Sequence, residues 1–239
     1  IVFSAKSGSS DALFIADVSK KKNIINKILS DIEGIYKPAW NPHNNEIAFI
    51  GNNGMQSDIY LYDIESKDLT NLTNDKFSDS QISWTDDGMN LLFISDRNDN
   101  IIPNQSLDVL SLFDYNYSRN DVYKFNIENN QIIRLTNTDF NESYPISIDD
   151  NLIAFISDES GINNLYLTKD NFSTYQALTN VQTGITQIDW SSSNQIALTG
   201  FYKSGYDVFI LSNIKNLFNK SIEVPDANWI KKQDIPLLK

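Results

Sequence analysis

A chain of 239 residues with 31 acidic against 19 basic side chains carries a formal charge of −12, which sets it against nucleic-acid phosphates and anionic lipid surfaces. It has no cysteine, so disulfides, thiolate metal sites and cysteine nucleophiles are excluded, and one histidine with no cysteine is a poor start for zinc. With 41% hydrophobic and 12% aromatic residues, the composition is that of a folded, strand-rich domain long enough to enclose its own core.

No apolar run reaches the length of a membrane helix, so no direct membrane insertion is expected. The chain opens at Ile1 inside an apparent strand without an initiator Met, which predicts that preceding residues were removed. From there four landmarks recur. A buried strand carries Phe3, Phe49, Phe93, Phe155 and Leu198, at steps of 46, 44, 62 and 43. A strand of Asp-Ile-Tyr type carries Phe14, Tyr60, Tyr123, Tyr166 and Phe209, at steps of 46, 63, 43 and 43. A closing strand ends in Leu72-Thr73, Leu135-Thr136 and Leu178-Thr179, with weaker versions near Ile28-Leu29 and Ile222 to Val224. A tryptophan strand is marked by Trp40, Trp84, Ile148, Trp190 and Trp229.

Four short strands per period of about 44 residues, separated by turn residues, predict the blade of a β-propeller and not a helical repeat. We name the strands of a blade a (tryptophan), b (buried aromatic), c (Asp-Ile-Tyr) and d (Leu-Thr). The phase of the ends predicts an all-β propeller of five four-stranded blades, in which an a-type strand from Asp226 to Lys231 pairs beside Ile1 and closes the first blade. A slice of a six- to eight-bladed propeller is the alternative. The propeller is expected over residues 1–231, with 232–239 as a tail.

The segments Trp84-Thr85-Asp86-Asp87-Gly88, Ile94-Ser95-Asp96-Arg97 and Asp121-Val122-Tyr123 resemble the TolB-type, WD-like propeller repeat, whose pattern runs Trp-Ser-Pro-Asp-Gly, an apolar strand, Ser-Asp-Arg-x-Gly, Asp-Ile-Tyr and Leu-Thr. Asn41-Pro42-His43-Asn44 and Ser191-Ser192-Ser193-Asn194 depart from it by lacking Asp-Gly. The run from Leu178 to Ile185, with Gly200-Phe201 and Gly205-Tyr206-Asp207-Val208-Phe209, also resembles envelope proteins in which a propeller is joined to a peptidase-like domain or an outer-membrane barrel. The resemblance implies a bacterial, extracytoplasmic location, periplasmic or otherwise, and a role in binding other proteins.

Catalytic chemistry finds little footing. His43 sits in a type I turn, where a solvated turn side chain is expected, and no Gly-x-Ser-x-Gly elbow occurs to make it the base of a triad. Asp96, Asn98 and Asn100 alternate like the start of a calcium loop, but the turn glycine is missing and Leu107 stands where the closing Glu belongs. Neither a cofactor nor a metal is expected. The acid or amide that precedes each c strand (Asp11, Asp58, Asp121, Asn164, Asp207) repeats with the blade, so it reads as a turn cap.

Function is sought where the repeat breaks, in the insertion between Arg97 and Asn120. Leu107, Val109, Phe113, Tyr115 and Tyr117 alternate with Asp108, Asp114, Asn116 and Ser118. An elongated strand packed on its own blade fits this pattern, and so does an aromatic and acidic lip. The binding residues expected are Arg97, Asp108, Phe113, Asp114, Tyr115 and Tyr117, together with Phe201, Tyr202 and Tyr206 in the fifth blade. The expected protein is a monomeric, non-catalytic module that binds a protein or peptide segment of an envelope partner. Carbohydrate binding or processing, and a gate severed from a serine peptidase, are the alternatives.

Overall fold

A computed structural model describes residues 1–19, 24–104, 117–149, 151–169, 172–218, 220 and 222–231. Five antiparallel sheets follow one another along the chain and form a five-bladed β-propeller. The first sheet is β1 (Val2–Ser7), β2 (Ser10–Asp17) and β3 (Ile24–Ile32). The second is β4 (Gly34–Trp40), β5 (Glu46–Asn52), β6 (Ser57–Asp63) and β7 (Leu69–Asn71). The third holds β8 (Asp79–Trp84), β9 (Asn90–Ser95), β10 (Asp121–Asn126) and β11 (Gln131–Arg134). The fourth holds β12 (Glu142–Asp149), β13 (Leu152–Ser157), β14 (Asn164–Lys169) and β15 (Thr174–Ala177). The fifth has β16 (Ile185–Ser191), β17 (Gln195–Tyr202) and β18 (Gly205–Ser212). Sheets two to four are complete a-b-c-d blades, whereas among the described residues the first has no strand a and the fifth no strand d.

The b and c landmarks pair residue for residue, because alternation puts every second side chain of both strands on one face. Phe3 stands opposite Phe14, Phe49 opposite Tyr60, Phe93 opposite Tyr123, Phe155 opposite Tyr166 and Leu198 opposite Phe209. The four aromatic pairs have ring centroids 5.5 to 5.6 Å apart. Between blades two and three the core runs through Ile50, Ile59, Trp84, Phe93, Tyr123 and Phe125. A second core joins blades four and five through Ile156, Leu165, Leu167, Ile188, Ile196 and Leu198.

Two expectations change. Closure of the first blade by the C-terminal strand does not occur: residues from Asn228 form a single helical turn, α1 (Asn228–Lys231), and the Ala227 N–H donates to the Ser160 carbonyl at 2.8 Å. This segment belongs to the fourth blade, where Val224 packs against Phe155, Tyr166 and Ala177. Gly161, at φ +82°, leaves room there for Ile230 and Trp229, which a Cβ would approach to within 3 Å. Contacts of inner strands run β1 to β4, β4 to β8, β8 to β12 and β12 to β16; among the described residues no packing of comparable extent joins the first sheet to the fifth.

The second change is a register. In blades two, three and five the tryptophan pairs with the first apolar residue of strand b, as Trp40 with Ile47, Trp84 with Leu91 and Trp190 with Ile196. In blade four that place belongs to Ser147, opposite Ile153, and not to Ile148. A bulge between Ser147 and Asp149 adds one residue and turns Ile148 into the core.

Candidate functional site: the channel face

The inner strands β4, β8, β12 and β16 share a distortion that short-range sequence patterns do not announce. Each loses register with its strand b midway, between Tyr36 and Ala39, Ser80 and Ser83, Ser143 and Ile146, and Ile185 and Gln187. In the first three the bulge residue has left-handed backbone: Lys37 at φ +50°, Gln81 at +54° and Tyr144 at +50°. For side chains with a Cβ this conformation costs about 1–2 kcal/mol, and bulges serve to re-aim a side chain. Backbone strain recurs at one place in the blade while the side chain changes from Lys to Gln to Tyr.

These residues line a cavity of about 560 Å3 between the inner strands of blades two to five, together with Trp40, Trp84, Trp190 and Gln187. The Lys37 ammonium lies 4.7 Å from the centre of the Tyr144 ring, and the Tyr144 N–H donates to Gln81 Oε1 at 2.7 Å. Neighbouring blades are tied directly beneath this wall. Trp84 Nε1–H donates to the Ala39 carbonyl at 3.0 Å, and Ser83 Oγ donates to the Pro145 carbonyl at 2.6 Å. Asp86 and Asp189 add negative charge at the rim. His43 is not simply solvated: a ring nitrogen meets the Asp86 carbonyl at 2.7 Å, and Asn41 Nδ2 donates to the Gly88 carbonyl, so the irregular turn of blade two is held by the Asp-Gly turn of blade three.

Among the residues expected to bind, Arg97 needs correction. It is fully buried, with Nη1 2.9 Å from Asp75, Nη2 2.6 Å from Asp79 and Nε 3.0 Å from Ser95 Oγ. Its guanidinium also lies within 6 Å of the ring centres of Phe77, Phe93 and Tyr123. Burial pushes the Asp75 carboxyl up to about 6 although Arg97 pulls it down, and burial raises Asp79 as well. Burial also opposes the charge on Arg97, but the two carboxylates hold it above its ordinary range. The Arg of the Ser-Asp-Arg segment is thus a core pin.

Asp108, Phe113, Asp114 and Tyr115 lie outside the described residues. Tyr117 is half-exposed ahead of β10. Phe201, Tyr202 and Tyr206 are exposed at the hairpin joining β17 to β18, with Phe201 and Tyr206 edge-to-face at 5.5 Å and Lys203 over the Tyr202 ring. Blade four separates this group from Tyr117.

The acids before strand c do more than cap turns. Asp58 accepts from Asn71 Nδ2, Asp121 from Arg134, and Asn164 Oδ1 from Thr179 Oγ1, so each ties strand c to strand d. Glu142, buried beside them, accepts from the hydroxyls of Thr138 at 2.7 Å and Thr136 at 3.0 Å, and burial raises it to about 7. Among the described residues no group of three or more acids or histidines is placed to hold a metal ion.

No family model and no curated protein matches the chain. Solved structures do. TolB from Acinetobacter baumannii superposes with a TM-score of 0.65 at 21% identity, over 89% of this chain and 47% of its own. The fold is a β-propeller like that of TolB. A TolB candidate from Agrobacterium tumefaciens gives a TM-score of 0.67 at 15% identity, covering 88% of this chain and 73% of that one. Puromycin hydrolase gives 0.61 at 12% identity, over 87% of this chain and 32% of its own. The chain therefore spans about half the length of the Acinetobacter protein, and the likeness concerns the fold alone.

Proposed function

We propose that this chain is a non-catalytic, protein-binding propeller module of the bacterial cell envelope, which takes an extended segment of a partner protein at its channel face. The observation that carries the reading is the repeated strained bulge. Lys37, Gln81 and Tyr144 are held in left-handed backbone around one cavity, with indoles beside them. Amide, ammonium and aromatic groups suit a peptide, which offers carbonyls to Lys37 and apolar side chains to the tryptophans. The net charge of −12 favours a neutral or basic segment. The extracytoplasmic address follows the resemblance of the repeat to TolB-type propellers. The aromatic groups of the insertion and of the β17–β18 hairpin are accessory contacts in the same reading.

A photo-crosslinking residue placed at Gln187, in the cavity, and at Lys67, in an outer turn, tests the reading in envelope extract. Protein adducts from Gln187 and none from Lys67 are the expected result. A clear hit on a glycan array with no protein adduct overturns it.

The carbohydrate reading is favoured by one feature, since the exposed faces of Trp40 and Trp190 can stack on sugar rings. Polysaccharide binding and activity assays separate it. The gate reading draws support from the shared fold of puromycin hydrolase, and a hydrolase domain in the full reading frame would establish it.

A further inference from the structure

The three complete blades show what a c strand requires along its outer edge. Its first apolar residue turns both backbone groups towards strand d. The carbonyls of Ile59, Val122 and Leu165 each accept from the Leu of Leu-Thr, at 2.8 Å in all three. Their N–H groups donate to the following threonine hydroxyls, Thr73 at 3.1 Å, Thr136 at 2.8 Å and Thr179 at 2.8 Å. One Leu-Thr dipeptide thus satisfies both backbone groups of one residue, and Ile59, Val122 and Leu165 are fully buried.

The register of Leu198 opposite Phe209 places Val208 at the same point of β18. Here β18 pairs only with β17, and its other edge carries no strand among the described residues. Val208 is 69% exposed, Ile210 59% and Phe209 42%. The segment whose sequence offers the next d strand, Ile222 to Val224, is held by the fourth blade instead: Asn180 Nδ2 donates to the Glu223 carbonyl, and Val224 packs on Phe155 and Tyr166. Just after β18 the chain is drawn the same way, with Gln176 Nε2 donating to the Leu217 carbonyl. An edge of eight residues with exposed apolar side chains and no described strand along its outer side is a template for strand pairing.

We propose that the outer edge of β18 is a strand-addition site that accepts an extended peptide of d type from another polypeptide, antiparallel to β18, with an apolar residue and then a Thr meeting Val208. The occupant's chemistry comes from the blades themselves. β11 and its flank, Gln131 to Asn137, present an alternating apolar strand ending in Leu135-Thr136, and this is the partner that buries Val122. The same pattern offered to β18 would give Val208 its acceptor and its donor and cover Ile210. The site is independent of the channel.

The probe is a labelled peptide copying residues 131–137, Gln-Ile-Ile-Arg-Leu-Thr-Asn, added to this chain. Binding is expected to slow hydrogen exchange at the Val208 and Ile210 amides. Val208→Pro removes the outward N–H and leaves the pairing with β17 intact, because proline is tolerated on a free edge. It is expected to weaken binding about tenfold with an unchanged circular dichroism spectrum. A peptide with Val in place of its Thr tests the same bond from the other side and is expected to bind more weakly. Equal binding to the Pro variant and to the parent chain overturns the proposal. So does protection of the Val208 amide before any peptide is added, which shows that the chain covers its own edge. A dimer that dissociates on Val208→Pro also overturns it, because a second copy is then the occupant.

Discussion

The ammonium of Lys37, on the inner strand of the second blade, lies 4.7 Å from the ring centre of Tyr144, on the inner strand of the fourth. Both residues sit in left-handed backbone, at φ +50°. Two strained positions on blades that are not neighbours in sequence thus meet across one cavity, and each sets the other's orientation. Replacing Lys37 by Gly separates strain from function. Glycine relieves the left-handed backbone, so stability is expected to hold or to rise by up to about 1 kcal/mol, while capture of a partner segment falls several-fold. Thermal melts and the crosslinking yield from Gln187 measure the two quantities side by side. Lower stability together with unchanged capture would mark Lys37 as architecture.

Arg97 is the clearest stability test. Replacing it by Met leaves Asp75 and Asp79 buried without their cation, and breaking a buried pair of this kind costs about 3–5 kcal/mol. Chemical denaturation measures the loss. Adding Asp79→Asn removes the charge that sits deepest and is expected to recover part of it. A cost below about 1 kcal/mol for Arg97→Met would show that the pin is dispensable.

Glu142 gives the pH dependence. Burial raises its carboxyl from 4.5 to about 7, so the protonated form is the one the fold prefers. Its contribution is fully present below the unfolded value and is lost as pH rises through about 7. Glu142→Gln, which mimics the protonated acid, is expected to match the parent chain near pH 4.5 and to exceed it by roughly 3 kcal/mol at pH 8. Denaturation curves across that range check both sign and size. A gap that narrows as pH rises would contradict the burial argument.

Much of the fold is legible in the sequence because blade architecture is written in repeated residue types. Phe49 opposite Tyr60, with an aromatic pair at the same place in three other blades and Leu198 opposite Phe209 in the fifth, follows from spacing alone. Ser147 shows where spacing fails: a bulge adds a residue without changing composition, so Ile148 appears to hold the tryptophan place while it faces the core. The missing first-blade strand is a case of competition. Ala227, Trp229 and Ile230 find a seat at Ser160 and Gly161, and a strand pattern such as Asp226 to Lys231 does not record which of two seats wins.

The candidate site is less legible. Arg97 reads as an exposed charge at the edge of an insertion, because nothing local reveals that Asp75 and Asp79, 22 and 18 residues earlier, fold over it. Lys37, Gln81 and Tyr144 share no residue type, so alignment by identity passes over them. Their signal is a fixed place, three residues before Trp40, Trp84 and Ser147, and it can be read only once the register of the fourth blade is known.

The aromatic hairpin of the fifth blade makes a separate prediction. Phe201, Tyr202 and Tyr206 are exposed, so changing all three to Ser is expected to shift stability by only about 1 kcal/mol. Their loss as accessory contacts is expected to lower partner capture measurably without abolishing it, and replacing Phe113, Tyr115 and Tyr117 by Ser is expected to do the same. Titration of the captured segment against each variant reads the difference. A large loss of melting temperature in either triple variant would assign that group to the core.

The most direct measurement is crosslinking from the channel. With a photo-reactive residue at Gln187, the expected result is an adduct to one extended, neutral or basic protein segment, reduced several-fold on Lys37→Gly and absent when the reactive residue sits at Lys67. Adducts that form equally from Lys67, or that persist undiminished in the Lys37→Gly variant, would contradict a binding site on the channel face.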